Sequence, residues 1–180
     1  MAIDPAAASS AQADETGIIV AGADTGGHGY VLADVSGRYA PSEWARAAIA
    51  AYRVHAADRI VAEVNNGGEM VEATLRMIDP GVPFRAVRAT RGKTARAEPV
   101  AALYEQGRVH HVGAFPQLED QMCAFVPGAA GGFDRAAVGG SPDRVDALVW
   151  ALTELLVEPR AGEGIFETYR RLAARENEVP

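Results

Sequence analysis

The chain has 180 residues, 48% of them hydrophobic and 23% charged, the size and balance of one globular domain, which excludes disordered, collagen-like and fibrous classes. No apolar run reaches about 18 residues and Met1 to Ser10 carries no basic and apolar leader, which excludes a membrane span and a secretory signal. The single cysteine, Cys123, and the four histidines leave no internal disulfide and no zinc spacing, so a reducing cytoplasm is the default, and a net charge of −7 speaks against tight unspecific binding of DNA as the main task.

In chain order, Met1 to Pro5 reads as the end of a short apolar strand stopped by a proline, with Asp4 at its end. Three residues before Asp4 is short for a central strand, and truncation of a longer parent chain is the expectation. Gly17 to Ala23 and His28 to Asp34 read as two strands joined by the hairpin turn Asp24-Thr25-Gly26-Gly27. Pro41, Ser42 and Glu43 open an amphipathic helix whose apolar positions Trp44, Ala48, Ile49 and Tyr52 recur at steps of three and four.

Asp58 to Val64 reads as a compact strand, broken by Asn65-Asn66-Gly67-Gly68 before a helix from about Glu69 to Ile78. Phe84 to Ala89 and Arg108 to Val112 read as further strands, with a helix from about Ala95 to Glu105 between them despite Pro99. Pro127 to Ser141, rich in Gly and Ala, reads as a mobile loop. Ser141-Pro142-Asp143 then starts a strong helix through Leu156, with Ser141 expected as N-cap and Pro142 as first helical residue. Gly162 to Pro180 holds one short charged helix. Alternating strands and helices predict an α/β sheet, and the expected organisation is one domain over 1–158 followed by a peripheral helix or tail over 159–180.

Carboxylates occupy suggestive places in this scheme. Asp4 ends the first strand, Glu63 lies near the end of a later one, and Asp143 and Asp146 share a helix face in the first turn of the last strong helix. If the first strand and the Glu63 strand are neighbours, all four meet at one sheet edge. Each has an ordinary explanation: Asp4 can start a turn, and Asp143 suits a helix N-terminus through the dipole. Glu63 is harder to explain away, because an acid inside IVAEV interrupts a strand expected to be buried, and Asp146 directly precedes the apolar run ALVWAL. Acids converging from distant segments are what hydrolysis of a phosphodiester with divalent ions requires, since magnesium is held by a few carboxylates and two ions can activate water and stabilise the leaving oxygen.

The ordered set AIDPA, YVLADVSGRYAPSEWA, IVAEVNNGG and SPDRVDALVWAL resembles the nuclease domain of tailed-phage large terminase subunits, over about Met1 to Leu156. The resemblance implies a ribonuclease H-like fold, a mixed central β-sheet flanked by helices. It implies an endonuclease that uses Mg²⁺ or Mn²⁺, two ions in all, to cut concatemeric viral double-stranded DNA during packaging, in the bacterial host cytoplasm. The implied partners are DNA, an N-terminal ATPase domain of the parent protein, the small terminase subunit and the portal. By motif match Asp4 is the first-strand aspartate and Glu63 the later acid, while the third acid maps onto SPDRVDA as Asp143, Asp146 or both. The chain departs from whole terminases in having no Walker A motif: Gly92-Lys93-Thr94 lacks the glycine five residues earlier, where Val87 stands.

Arg85, Arg88, Arg91, Lys93 and Arg96, with Arg108, gather six of the seventeen basic residues into one stretch, which reads as a phosphate-tracking surface or, more plainly, as a solvated face. Asn65 to Gly68 can lie near a scissile phosphate or simply form a tight connection. His110 and His111 point to opposite faces of a strand and make a poor metal pair. Asp14, Glu15, Asp24 and Asp34 can add an outer ligand, although turn roles suffice. A junction resolvase or transposase-like nuclease, and a non-catalytic module docking DNA or a portal, are the competing readings.

Overall fold

A computed structural model describes residues 1–5, 15–65, 68–124 and 140–158. Most of the loop expected at 127–141 and the whole tail expected at 159–180 lie outside these residues, as does Asp14. Six strands form one mixed sheet: β1 (Ala2–Asp4), β2 (Gly17–Ala23), β3 (Gly29–Asp34), β4 (Ile60–Glu63), β5 (Phe84–Val87) and β6 (Val109–His111). Their order across the sheet is β5-β4-β1-β2-β3-β6. β1, β2 and β3 are antiparallel in succession, while β4 runs parallel to β1, β5 to β4, and β6 to β3. The β2–β3 hairpin turns where the glycines predict, with Gly27 at φ +80° and the His28 amide donating to Asp24 Oδ1 at 2.9 Å.

Short as it is, β1 lies at the centre. Ala2 and Ile3 are fully buried, and the period-2 alternation of a strand sends them to opposite faces. Ile3 joins Ile18, Val20, Ile60 and Ala62 under α1 (Pro41–Val54) and α2 (Gly68–Ile78), which supply Trp44, Ile49, Val71 and Leu75. Ala2 joins Ile19, Val31 and Val61 under α3 (Lys93–Glu105), α4 (Pro116–Cys123) and α5 (Asp143–Leu152), which supply Leu103, Leu118 and Leu148. The same alternation assigns Asp4, Gly17 and Glu63 to the α5 face, two positions along from Ala2, Ile19 and Val61. Leu148, 1% exposed, is one of the α5 residues that hold this layer, and burying such a side chain contributes about 1.5–3 kcal/mol.

The start of α5 differs from expectation. Pro142, not Ser141, occupies the N-cap, with no side-chain cap, and the helix begins at Asp143. The amide that a Ser141 cap would satisfy is that of Arg144, and it donates instead to Gln121 Oε1 of α4 at 3.1 Å, so a tertiary partner replaces the local one. The end differs too, because the α-helix stops at Leu152 and Thr153–Val157 forms a π-helical turn. α4 is an element that the apolar pattern did not announce: in PQLEDQMC only Leu118 and Gln121 are buried. Pro99 sits inside α3 at an exposed position and removes one ladder donor without ending the helix. Among the described residues no helix is long and apolar enough to cross a membrane.

Candidate active site

The carboxyl ends of β1 and β4 and the first turn of α5 meet at one end of the sheet. β1 and β4 are parallel neighbours, Ile3 opposite Ala62, so Asp4 and Glu63 follow at the same end and on the same face. Asp4 is paired across the antiparallel ladder with Gly17, and that glycine decides how close α5 comes. A β-carbon there would stand 1.9 Å from the Asp143 carbonyl oxygen, so only a residue without a side chain lets the helix start lie on the strand beside Asp4.

Arg144 fixes the helix start from the other side. It is 4% exposed, donates through Nε to Glu15 Oε2 at 2.8 Å and through Nη1 to Asp34 Oδ2 at 2.7 Å. Its neighbours Asp143 and Asp146 are buried with it. Asp34 also accepts from the Ser36 amide, and Asp24 holds the hairpin turn and the Tyr30 hydroxyl. Asp34, Glu15 and Asp24 are therefore occupied as structural groups. Arg144 is the residue that reading the sequence passed over; its only signal there is a lone cation between two acids just ahead of an apolar run.

Glu63 is held by three donors: Arg96 Nη1 at 2.6 Å and Trp150 Nε1 at 2.9 Å on Oε2, and Asn65 Nδ2 at 2.9 Å on Oε1. The Asn65 amide also donates to Ala89 O and accepts from the Ala89 amide, which ties the turn after β4 to the turn after β5. Arg96 lies 4.8 Å from the centroid of the Trp150 ring, a cation–π contact worth about 0.5–2 kcal/mol. Its second nitrogen, Nη2, reaches Asp146 Oδ1 at 3.4 Å, so one guanidinium spans Glu63 and Asp146. The Lys93 ammonium pairs with Asp146 Oδ2.

The electrostatics record this crowding. Burial, followed by the negative charges of Asp146 and Asp143, pushes the Asp4 carboxyl well above its usual range; Lys93 opposes the shift and Glu63 adds to it. Burial also raises Asp146, against the pull of Lys93 and Arg96. The charges of Asp146, Asp143 and Glu63 thus all reach Asp4, yet among the described residues no three His, Cys, Asp or Glu side chains are gathered tightly enough to hold one metal ion.

The basic segment is less uniform than its composition. Arg85 pairs with Glu154 and, at 3.1 Å, with Glu158. Lys93 and Arg96 turn into the acids, and Arg108 donates to Gly27 O. Arg88 and Arg91 are exposed and enter no ion pair among the described residues. His110 stacks on His28 and Tyr30, whereas His111 meets Tyr104 and Glu119, so the two histidines do face apart. Gly92 caps α3 with extended backbone and Lys93 is its first residue, a helix start that holds a carboxylate through Lys93.

The terminase RNaseH-like domain family matches residues 1–155 of the chain. The chain belongs to that family. The crystal structure of the large terminase nuclease from thermophilic phage G20c is similar, with a TM-score of 0.61 and 18% identity over 85% of this chain and 80% of that one. The six-stranded mixed sheet flanked by helices is accordingly a ribonuclease H-like fold. No curated protein matches the chain. The family membership and fold expected from the motifs therefore hold.

Proposed function

We propose that the chain is a metal-dependent endonuclease domain that hydrolyses the phosphodiester backbone of double-stranded DNA, with Asp4, Glu63, Asp143 and Asp146 as its catalytic acids and ligands of two Mg²⁺ or Mn²⁺ ions. The observation that carries this reading is the convergence of these acids, from three distant segments, on the end of the sheet in a chain of the terminase RNaseH-like family. The donor set fits such ions: hard oxygen ligands suit Mg²⁺ and Mn²⁺, and the mutual repulsion that raises Asp4 is the kind that a divalent cation relieves. Bound there, the ions would activate an attacking water and stabilise the leaving 3′ oxygen.

The chain's own residues do the positioning. Gly17 and Arg144 set the helix acids against Asp4, while Arg96, Trp150 and Asn65 fix the rotamer of Glu63. Exposed Arg88 and Arg91 are the members of the basic segment best placed to meet DNA phosphates, with Arg85, Lys93 and Arg96 held at carboxylates. Cutting of concatemeric DNA in a packaging assembly, alongside an ATPase domain, a small subunit and a portal in the host cytoplasm, is the setting that the family supports for this activity.

Plasmid DNA incubated with the protein and Mn²⁺ is expected to be nicked and linearised, and EDTA to stop the reaction. Asp4→Asn and Glu63→Gln are each expected to abolish cutting. Unchanged cutting in both variants would sink the assignment.

A further inference from the structure

The two cations in the site are held differently. Arg96 is locked: 11% of its side chain is exposed, it stacks on Trp150, and it bonds both Glu63 and Asp146. Lys93 is 40% exposed and, among the described residues, pairs with Asp146 alone, at the end of a flexible four-carbon stem. It also stands at the first position of α3, whose first turn contains no acid. A cation there gains nothing from the helix dipole, which favours negative charge at that end, so the contact with Asp146 accounts for its place.

Both residues lie three apart on one helix face and together set two positive charges against four carboxylates. A divalent ion brought to Asp146 while the ammonium remained would place like charges at contact distance, where they repel in a partly buried setting. An ammonium and a metal ion therefore compete for the same carboxylate oxygen.

We propose that Lys93 is an exchangeable counter-ion, which holds Asp146 while the site is free of divalent cation and leaves it when the cation binds, whereas Arg96 stays in place. The inference rests on the metal reading above. Lys93 then lowers apparent metal affinity and keeps the unloaded site from flying apart. Once released, its ammonium is free at the mouth of the site, on the N-terminal turn of α3.

Calorimetric titration of the whole 180-residue chain with Mn²⁺ tests this without recourse to cutting. Lys93→Met, which keeps the apolar stem, is expected to bind Mn²⁺ roughly 2- to 5-fold more tightly than the unaltered chain, the range of a partly exposed ion pair. Its thermal midpoint in EDTA falls, and the rise on adding Mn²⁺ grows. Lys93→Gln gives the same tightening should the methionine variant fold poorly, and Lys93→Arg restores the original affinity. Arg46→Met, an exposed change on α1 across the sheet, leaves affinity where it was. Unchanged or weaker binding in both neutral Lys93 variants, or equal tightening in Arg46→Met, overturns the exchange while leaving the metal reading standing. An unaltered chain that takes up no Mn²⁺ overturns the metal reading and the exchange with it.

Discussion

Asp4 carries the clearest consequence of the site's crowding. An acid whose folded pKa is raised binds a proton more readily in the folded state, so its ionisation destabilises the fold. The stability that Asp4 contributes is therefore fully present below the usual carboxylate range and is lost as pH rises from there through the raised value. Asp4→Asn is expected to raise the metal-free thermal midpoint at pH 7, with the gain vanishing near pH 3; a midpoint lowered at pH 7 would contradict the shift. Arg144 predicts the opposite sign. Its removal leaves Glu15 and the buried Asp34 without their cation, and breaking a buried pair in this way costs about 3–5 kcal/mol. Arg144→Met should show that loss in urea denaturation, together with weakened Mn²⁺ uptake, because the turn bearing Asp143 and Asp146 is no longer tethered.

At the level of elements, the critical contact is between a strand and a helix start. Gly17→Val places a side chain where the Asp143 carbonyl lies, so α5 must withdraw from β1 and β2. The expected cost is about 1–3 kcal/mol for overpacking, with cutting lost even where the protein still folds; circular dichroism melting and the plasmid assay measure the two separately. Most elements were legible because they repeat a pattern: β2, β3 and β4 are short apolar runs between turn residues, and α1 repeats its apolar steps over fourteen residues. α4 was not, because Leu118 is its one fully buried apolar side chain and eight residues give periodicity no room to show. Ser141 misled for a related reason, since a local cap can be foreseen but Gln121 taking over the Arg144 amide cannot. The acids themselves could be picked out as polar residues in apolar settings. Their neighbours Lys93, Arg96 and Trp150 could not, because a composition-level basic stretch does not tell which cations turn inward.

Across the whole molecule, charge sets a limit on DNA affinity. With a net charge of −7 and with Arg85, Lys93 and Arg96 committed to carboxylates, Arg88 and Arg91 remain as the free cations of the basic segment among the described residues. Each phosphate neutralised contributes a slope of about −0.9 to log K against log salt for duplex DNA. The isolated chain is therefore expected to bind duplex DNA weakly, with a slope of roughly −2, and Arg88→Ala with Arg91→Ala to flatten it; fluorescence anisotropy over a salt series reads both. A steep slope that survives the double change would place the DNA path elsewhere.

The span between the tethered groups has a consequence for biosynthesis. Arg144 reaches back 129 positions to Glu15, and closing so long a loop is among the costlier steps of chain ordering. While the chain is still being made, Asp4 and Glu63 emerge well before the acids of α5, which closes one face of the sheet over them. The proposed acid set is thus completed only once α5 has left the ribosome, and a fragment ending before it lacks Val145, Leu148, Trp150 and Leu152 of the core as well as two of the acids.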